Sequence, residues 1–151
     1  MRILILPFLA LFLMISCKQA EKPAADPAAE NKALEDKLMA IHDEVMPKLT
    51  DMQRLAEDLR KIKSAIPENS EGKIVSPAGL DENVERLKLA EQGMWDWMKQ
   101  YHDQRDSVPA DQLKPFLDHQ MELLLSVQNG VNTSIANTQE WLKTNGGANA
   151  K

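Results

Sequence analysis

Residues 34–66 read LEDKLMAIHDEVMPKLTDMQRLAEDLRKIKSAI and carry the pattern from which the architecture follows. Apolar side chains recur here at alternating steps of four and three residues: Leu34, Leu38, Ile41, Val45, Met52, Leu55, Leu59, Ile62 and Ile66. Lys48 interrupts the series, and Leu49 takes its place. This seven-residue period predicts one long amphipathic helix from about residue 31. Pro67 ends the helix, because proline cannot continue it.

Two later stretches repeat the period and predict two more helices. The apolar positions of the second are Leu80, Val84, Leu87, Met94, Met98 and Tyr101, and those of the third are Leu117, Met121, Leu124, Val131, Ile135 and Leu142. Polar Gln128 and Thr138 occupy core steps of the third, and Pro115 is expected in its first turn. The second helix is predicted over 77–105, and a tight turn at 106–109 follows it.

Together these patterns predict an all-α fold, an antiparallel up-down-up three-helix bundle over 32–145. Residues 146–151, with two glycines, are predicted to be a disordered tail. A single cysteine excludes an internal disulfide, so the core must supply the stability. The net charge of −5 and the absence of a basic face argue against nucleic-acid binding.

The amino terminus has the pattern of a lipoprotein signal peptide over 1–16. Arg2 precedes an uncharged apolar run at 3–15, which is shorter than the ~20 residues that span a bilayer. The run ends in Met14, Ile15, Ser16 and Cys17, which resembles a lipobox, although leucine is usual where Met14 stands. The resemblance implies cleavage before Cys17 and acylation of its thiol. The alternative is an ordinary cleaved signal with an incidental cysteine.

The segment 17–31 is predicted to join the lipidated Cys17 to the bundle as a flexible tether, because it is rich in alanine and proline and has no large apolar side chain. Lys18 stands where an aspartate retains some lipoproteins in the inner membrane. We therefore expect an outer-membrane location that faces the periplasm. Display on the cell surface is the alternative.

Two segments, MAIHDEVMPKL at 39–49 and AEQGMWDWMKQY at 90–101, resemble a group of small lipoproteins from Bacteroidetes-type bacteria. These proteins are often labelled "viral A-type inclusion protein", a label that describes no activity. The resemblance covers the signal and the first two helices well, and the third only in general character. It implies the helical fold and the envelope location, with no catalytic residue.

Pro47 stands inside the first predicted helix and removes the hydrogen bond to the carbonyl of Asp43. The resulting kink lets a long helix wrap its partners, and the shift of the apolar series from Lys48 to Leu49 agrees with that interpretation. The kink also leaves a backbone oxygen free beside His42.

Methionine and histidine gather in one half of the predicted bundle. Pairing Ile66 with Leu80 across the first connection sets His42 level with about residue 104 and Met46 with about residue 100, and the turn near Ser107 sets Met121 beside Met94. The candidate ligands are His42, Met46, Met94, Met98 and His102. Thioethers with imidazoles favour Cu(I). The alternative is core packing, in which methionine fills gaps beside aromatic rings and no cofactor is bound.

Trp95 and Trp97 are predicted to flank the Met94/Met98 stripe on opposite sides, half-buried. With Tyr101 they could form an apolar groove for a peptide or lipid, or they could only seal the edges of the core. Asp106, Ser107 and Val108 resemble a short sequon for O-glycosylation of exported proteins in this bacterial group, with Ser107 as the acceptor.

No catalytic pattern is present, so we expect no enzyme. The principal functional hypothesis is a lipid-anchored envelope protein that acts as a structural or interaction module, with an envelope protein or a second copy as partner. The alternative is a periplasmic protein that binds Cu(I) through the Met/His cluster.

Overall fold

The computed structural model describes residues 26–66 and 77–145, which form three α-helices. Helix α1 spans Pro27–Ala65, α2 spans Pro77–Arg105 and α3 spans Leu113–Asn145. Each helix packs against the other two, and the described ranges contain no β-strand. The predicted all-α three-helix bundle is therefore confirmed. The predicted signal peptide, Cys17 and the tail at 146–151 lie outside the described residues.

The first helix begins earlier than predicted. Asp26 caps it, since its Oδ1 accepts a hydrogen bond of 3.0 Å from the backbone N–H of Ala28. Pro27 occupies the first helical position, where its fixed φ suits the helix and its missing N–H is not needed. The boundary predicted between tether and bundle at 31/32 is too late. The alanine- and proline-rich composition indicated a tether, and the capping pair Asp26 and Pro27 was not recognised.

Helix α1 continues through Pro47, and Leu49 replaces Lys48 in the core, as predicted. Leu49 is buried, while the ammonium group of Lys48 turns outward and donates to Glu44 and to Asn132 of α3. Gln128 of α3 also donates to Glu44. These bonds show that α1 and α3 are parallel neighbours.

Helix α2 is antiparallel to α1. Arg105, at the end of α2, pairs with Glu35 near the start of α1, and Asp81 near the start of α2 accepts from Lys63 near the end of α1. Fully buried side chains from all three helices fill the space between them: Leu38, Val45, Leu59, Leu80, Met94, Leu117, Leu124 and Val131. None of the helices in the described ranges is both long and apolar enough to cross a bilayer.

The interior of α3 is more polar than predicted. Thr138 is buried as expected, whereas Gln128 is only half-buried. Gln120 and Ser134 are buried, while Met121 and Ile135, one residue later in each case, are only half-buried. The apolar positions predicted for α3 therefore include some residues of its buried face and some of an adjacent, half-exposed face. Thr138 donates to Asn83 of α2 at 3.4 Å, so part of the buried polarity is satisfied across the helices.

The turn between α2 and α3 includes residues 106–112. The backbone N–H groups of Ser107 and Val108 donate to the carbonyl oxygens of Gln104 and Arg105, which closes the end of α2. Pro115 lies in the first turn of α3, as predicted.

Candidate functional site: the edge between α1 and α2

Five side chains that the sequence singles out, together with Met39, are assigned to one edge of the bundle. We call this the α1/α2 edge and define it by Met39, His42 and Met46 of α1 and Trp95, Met98 and His102 of α2. Its geometry follows from the contacts on either side of it, because positions seven residues apart lie on the same face of a packed helix.

The ion pair between Glu35 and Arg105 fixes one relation across this edge. The equivalent positions one heptad further into the bundle are His42 on α1, seven residues after Glu35, and Met98 on α2, seven residues before Arg105. The two helices run antiparallel, so both steps lead in the same direction along the bundle. His42 and Met98 therefore face each other as Glu35 and Arg105 do.

The hydrogen bond from Gln53 Nε2 to Glu91 Oε1, 2.6 Å long, fixes a second relation. One heptad from this pair, in the direction of the Glu35–Arg105 contact, stand Met46 and Met98. Met98 thus faces both His42 and Met46, which are themselves neighbours on α1 at i,i+4 spacing. From these two relations we infer that His42, Met46 and Met98, three of the five predicted ligands, are neighbours along this edge.

The outer part of the edge is placed in the same way. Lys88 lines, with Gln53 and Arg60, a cavity of about 110 Å³ between α1 and α2. Trp95 and His102 follow Lys88 by one and two heptads, and Met39 precedes Gln53 by two. These three side chains consequently form the solvent-facing rim of the edge.

The predicted register of α1 against α2 was off by a few residues. The contacts of Gln53 with Glu91 and of Lys63 with Asp81 set His42 level with about residue 102, and its ring lies 6.1 Å, centroid to centroid, from that of Trp97. On α3, the carbonyl of Gln120 accepts from Trp97, which sets Met121 near the level of Trp97 and not beside Met94. The connection between α2 and α3 is longer than assumed, because residues 106–112 all belong to the turn.

The imidazole of His42 is held in a defined orientation. Its Nδ1 lies 2.9 Å from Oδ1 of Asp43, and its side chain is 19% exposed. An ionised carboxylate only accepts hydrogen bonds, so Nδ1 carries the proton of this bond. In the neutral ring, Nε2 then presents a free lone pair.

The remaining ligand candidates differ in accessibility. Met46 and Met98 are half-buried against the core, while His102 is exposed. Met39 is 37% exposed and Trp95 48%. Met94 is fully buried among core side chains, so it serves packing and is closed to a ligand from solvent. Within residues 26–66 and 77–145, no three His, Cys, Asp or Glu residues are grouped so that they could hold a metal ion.

The predicted groove between Trp95 and Trp97 is corrected by the structure. Trp97 is buried, and its ring lies 5.3 Å from that of Tyr101, which in turn lies 5.9 Å from Phe116 of α3. These rings form a row inside the bundle and close its core. Trp95 alone presents its indole to solvent. The two tryptophans are two residues apart, and the α2 face that meets both partner helices is wide enough to include Trp97.

Gln120 is a buried polar residue that sequence reasoning missed. Its side chain is 0% exposed, and neither Oε1 nor Nε2 has a hydrogen-bond partner among the described residues. The heptad pattern was traced through Met121, the next residue, so the burial of Gln120 was not predicted. The available signal was its position three residues after buried Leu117 and four before buried Leu124.

One electrostatic feature borders the edge, and a second lies on the side of α1 that faces α3. Burial raises the pKa of the Tyr101 phenol, and the negative charge of Glu35 acts in the same direction. A hydrogen bond from Lys48 lowers the pKa of Glu44 on the opposite side of α1.

Ser107, the predicted O-glycosylation residue, is exposed in the α2–α3 turn, as predicted. Its hydroxyl donates a hydrogen bond of 2.8 Å to the carbonyl of Gln104.

No family model matches this chain, and searches of curated proteins and of solved structures found no match.

Proposed function

We propose that this chain is a lipid-anchored protein of the cell envelope whose helical bundle acts as an interaction module. The lipobox-like sequence that ends in Cys17 supports the anchor, and acylation of that thiol would attach the chain to the outer membrane on its periplasmic side. Its partner is another envelope protein, and self-association is the alternative. We expect no catalytic activity and no nucleic-acid ligand.

The start of α1 limits how far the bundle can stand from its anchor. Eight residues, 18–25, lie between Cys17 and the cap residue Asp26, because α1 already begins at Pro27. A chain of this length spans at most about 30 Å when fully extended. The bundle is therefore held beside the membrane surface, which favours a partner in or near the same membrane.

The observation that carries the interaction role is the exposed indole of Trp95 on the α1/α2 edge. Trp95 is 48% exposed and shares this edge with Met39, which is 37% exposed. Tryptophan and methionine are enriched in protein–protein interfaces, where a large apolar surface becomes buried on binding. An envelope protein with an apolar surface patch fits this edge.

Photo-crosslinking in intact cells tests the interaction role. A photoreactive residue at position 95 should yield one discrete adduct. The matched control is position 89, because Leu89 is 57% exposed but lies about 120° away around the same helix. Equal adduct patterns from both positions, or none from position 95, would contradict the proposal.

The anchor is tested separately with Cys17→Ser. Mass spectrometry of the native protein should find an acylated Cys17 at the amino terminus, and the variant should carry no acyl chain. A wild-type protein with residues 1–16 retained, or with a free thiol, would refute the anchor without bearing on the edge.

A glycan at Ser107 is a further part of this proposal, since the serine is exposed in a turn. The intact mass of the protein should then exceed that of its lipidated chain, and Ser107→Ala should remove the excess. A variant that is lighter than wild type only by the single oxygen that Ser107→Ala removes would contradict this modification.

A further inference from the structure

We propose that His42, Met46 and Met98 form a binding site for a soft monovalent cation, with Cu(I) as the metal. This inference goes beyond the interaction role and does not depend on it. The central observation is the placement of Met98 opposite both His42 and Met46, as the neighbouring Glu35–Arg105 and Gln53–Glu91 contacts require.

The donor set favours this class of metal. One imidazole and two thioethers are neutral ligands, and thioethers are soft donors that select Cu(I) over hard cations such as Mg²⁺ or Ca²⁺. Ag(I) is the redox-stable ion with the same preference. Carboxylates, which hard cations require, are absent from the three proposed ligands.

His42 is already oriented as a ligand. Histidines that bind metals usually donate their second ring N–H to a carboxylate or carbonyl, which fixes the tautomer. The contact of 2.9 Å between Nδ1 of His42 and Asp43 supplies this partner and leaves Nε2 for the metal. Packing alone would not require an imidazole with such a partner on this edge.

The surroundings of the site combine access with shielding. Met46 and Met98 are half-buried, so each side chain packs against the apolar core and is in part exposed to solvent. Met39 and His102 on the rim provide further soft or imidazole donors beside the path from solvent. Trp97, whose ring lies 6.1 Å from that of His42, provides an intrinsic fluorescence reporter.

The test measures Cu(I) affinity by competition with a chromophoric Cu(I) chelator under reducing, anaerobic conditions. The full chain is purified from membranes in detergent, and any free Cys17 thiol is blocked with N-ethylmaleimide. We expect one Cu(I) per chain. Met98→Leu and Met46→Leu preserve volume and should each weaken binding at least tenfold, as should His42→Gln.

Matched controls come from α3. Met121 is half-buried like Met98, and His119 is exposed, yet both lie on another helix. Met121→Leu and His119→Gln should change the affinity less than twofold. Circular dichroism confirms that every variant is folded. No Cu(I) binding, or equal losses in the edge variants and the α3 controls, would overturn the proposal.

A second readout is independent of the chelator. Ag(I) should quench tryptophan fluorescence through Trp97 and Trp95, and the effect should disappear in the folded Met98→Leu variant. Trp141, which lies against Gly79, should not respond. Quenching that persists unchanged in Met98→Leu would contradict the assigned ligands.

Discussion

The indole Nε1 of Trp97 donates a hydrogen bond of 3.3 Å to the backbone carbonyl of Gln120, which joins α2 to α3 inside the bundle. The side-chain amide of the same glutamine has no partner among the described residues. The contact thus sets the register of the two helices at a residue whose own polarity is costly to bury.

Replacement of Gln120 by leucine should stabilise the protein. A buried amide without partners costs about 1–3 kcal/mol, and leucine removes this cost at similar volume. Urea denaturation of Gln120→Leu should therefore show a higher midpoint than wild type. Gln128→Leu is the control, since Gln128 donates to Glu44 and should gain nothing. A lower midpoint for Gln120→Leu would show that its amide is satisfied in solution.

Alanine should have opposite effects at two helical glycines. A Cβ at Gly79 would lie 2.8 Å from Nε1 of Trp141, so Gly79→Ala must displace that ring and should cost about 1–3 kcal/mol. Nothing lies within 4 Å of a Cβ at Gly130. Gly130→Ala should stabilise by about 0.5–1 kcal/mol through helix propensity. Thermal unfolding of both variants provides the comparison, and equal shifts would refute the Trp141 contact.

The titration of Tyr101 should depend on folding. Burial raises its pKa above the ordinary value of 10.0. Tyr101 is the only tyrosine of the chain, so tyrosinate absorbance reports on it alone. The midpoint should lie above 10 in the native protein and return to about 10 in denaturant.

The same shift predicts how Tyr101 affects stability at alkaline pH. Above pH 10 the unfolded chain loses the phenolic proton first, so the folded state loses stability as pH rises toward the folded pKa. Tyr101→Phe should lose less stability than wild type over this pH range, because it has no phenol to ionise. The loss that comes from deprotonation of the lysines should remain in both proteins. A native titration midpoint at or below 10 would contradict the burial of this ring.

The cap at Asp26 should be measurable as stability. Asp26→Ala removes the acceptor for the N–H of Ala28 and should cost about 0.5–2 kcal/mol in chemical denaturation. Asp26→Ser keeps a capping oxygen and should lie close to wild type. If both variants unfold like wild type, α1 begins later than Pro27.

The heptad period was sufficient to predict the three helices because each has a long apolar face. It predicted the replacement of Lys48 by Leu49, since an interrupted series resumes at the nearest apolar side chain. It failed at Gln120, because a single phase through Met121 cannot describe a helix that contacts two others. Gln120 is buried because its position on α3 lies between the two partner helices, where packing excludes water from any side chain.

The α1/α2 edge was predicted in part. Spacing alone identified the Met and His residues, because i,i+4 positions share a helix face. Their partners across the edge depend on the lengths of the turns, which composition does not fix. Contacts such as Gln53 with Glu91 set the register to within about one helical turn, and burial places Trp97 in the core while Trp95 remains exposed.

The parallel arrangement of α1 and α3 has a topological outcome. An odd number of passes sends the chain out of the bundle at the end opposite to where it came in, so Asn145 stands about 50 Å from Leu113 along α3. With the proposed anchor at Cys17, the turn at 106–112 would face the membrane, and Asn145 would lie at the far end of the bundle.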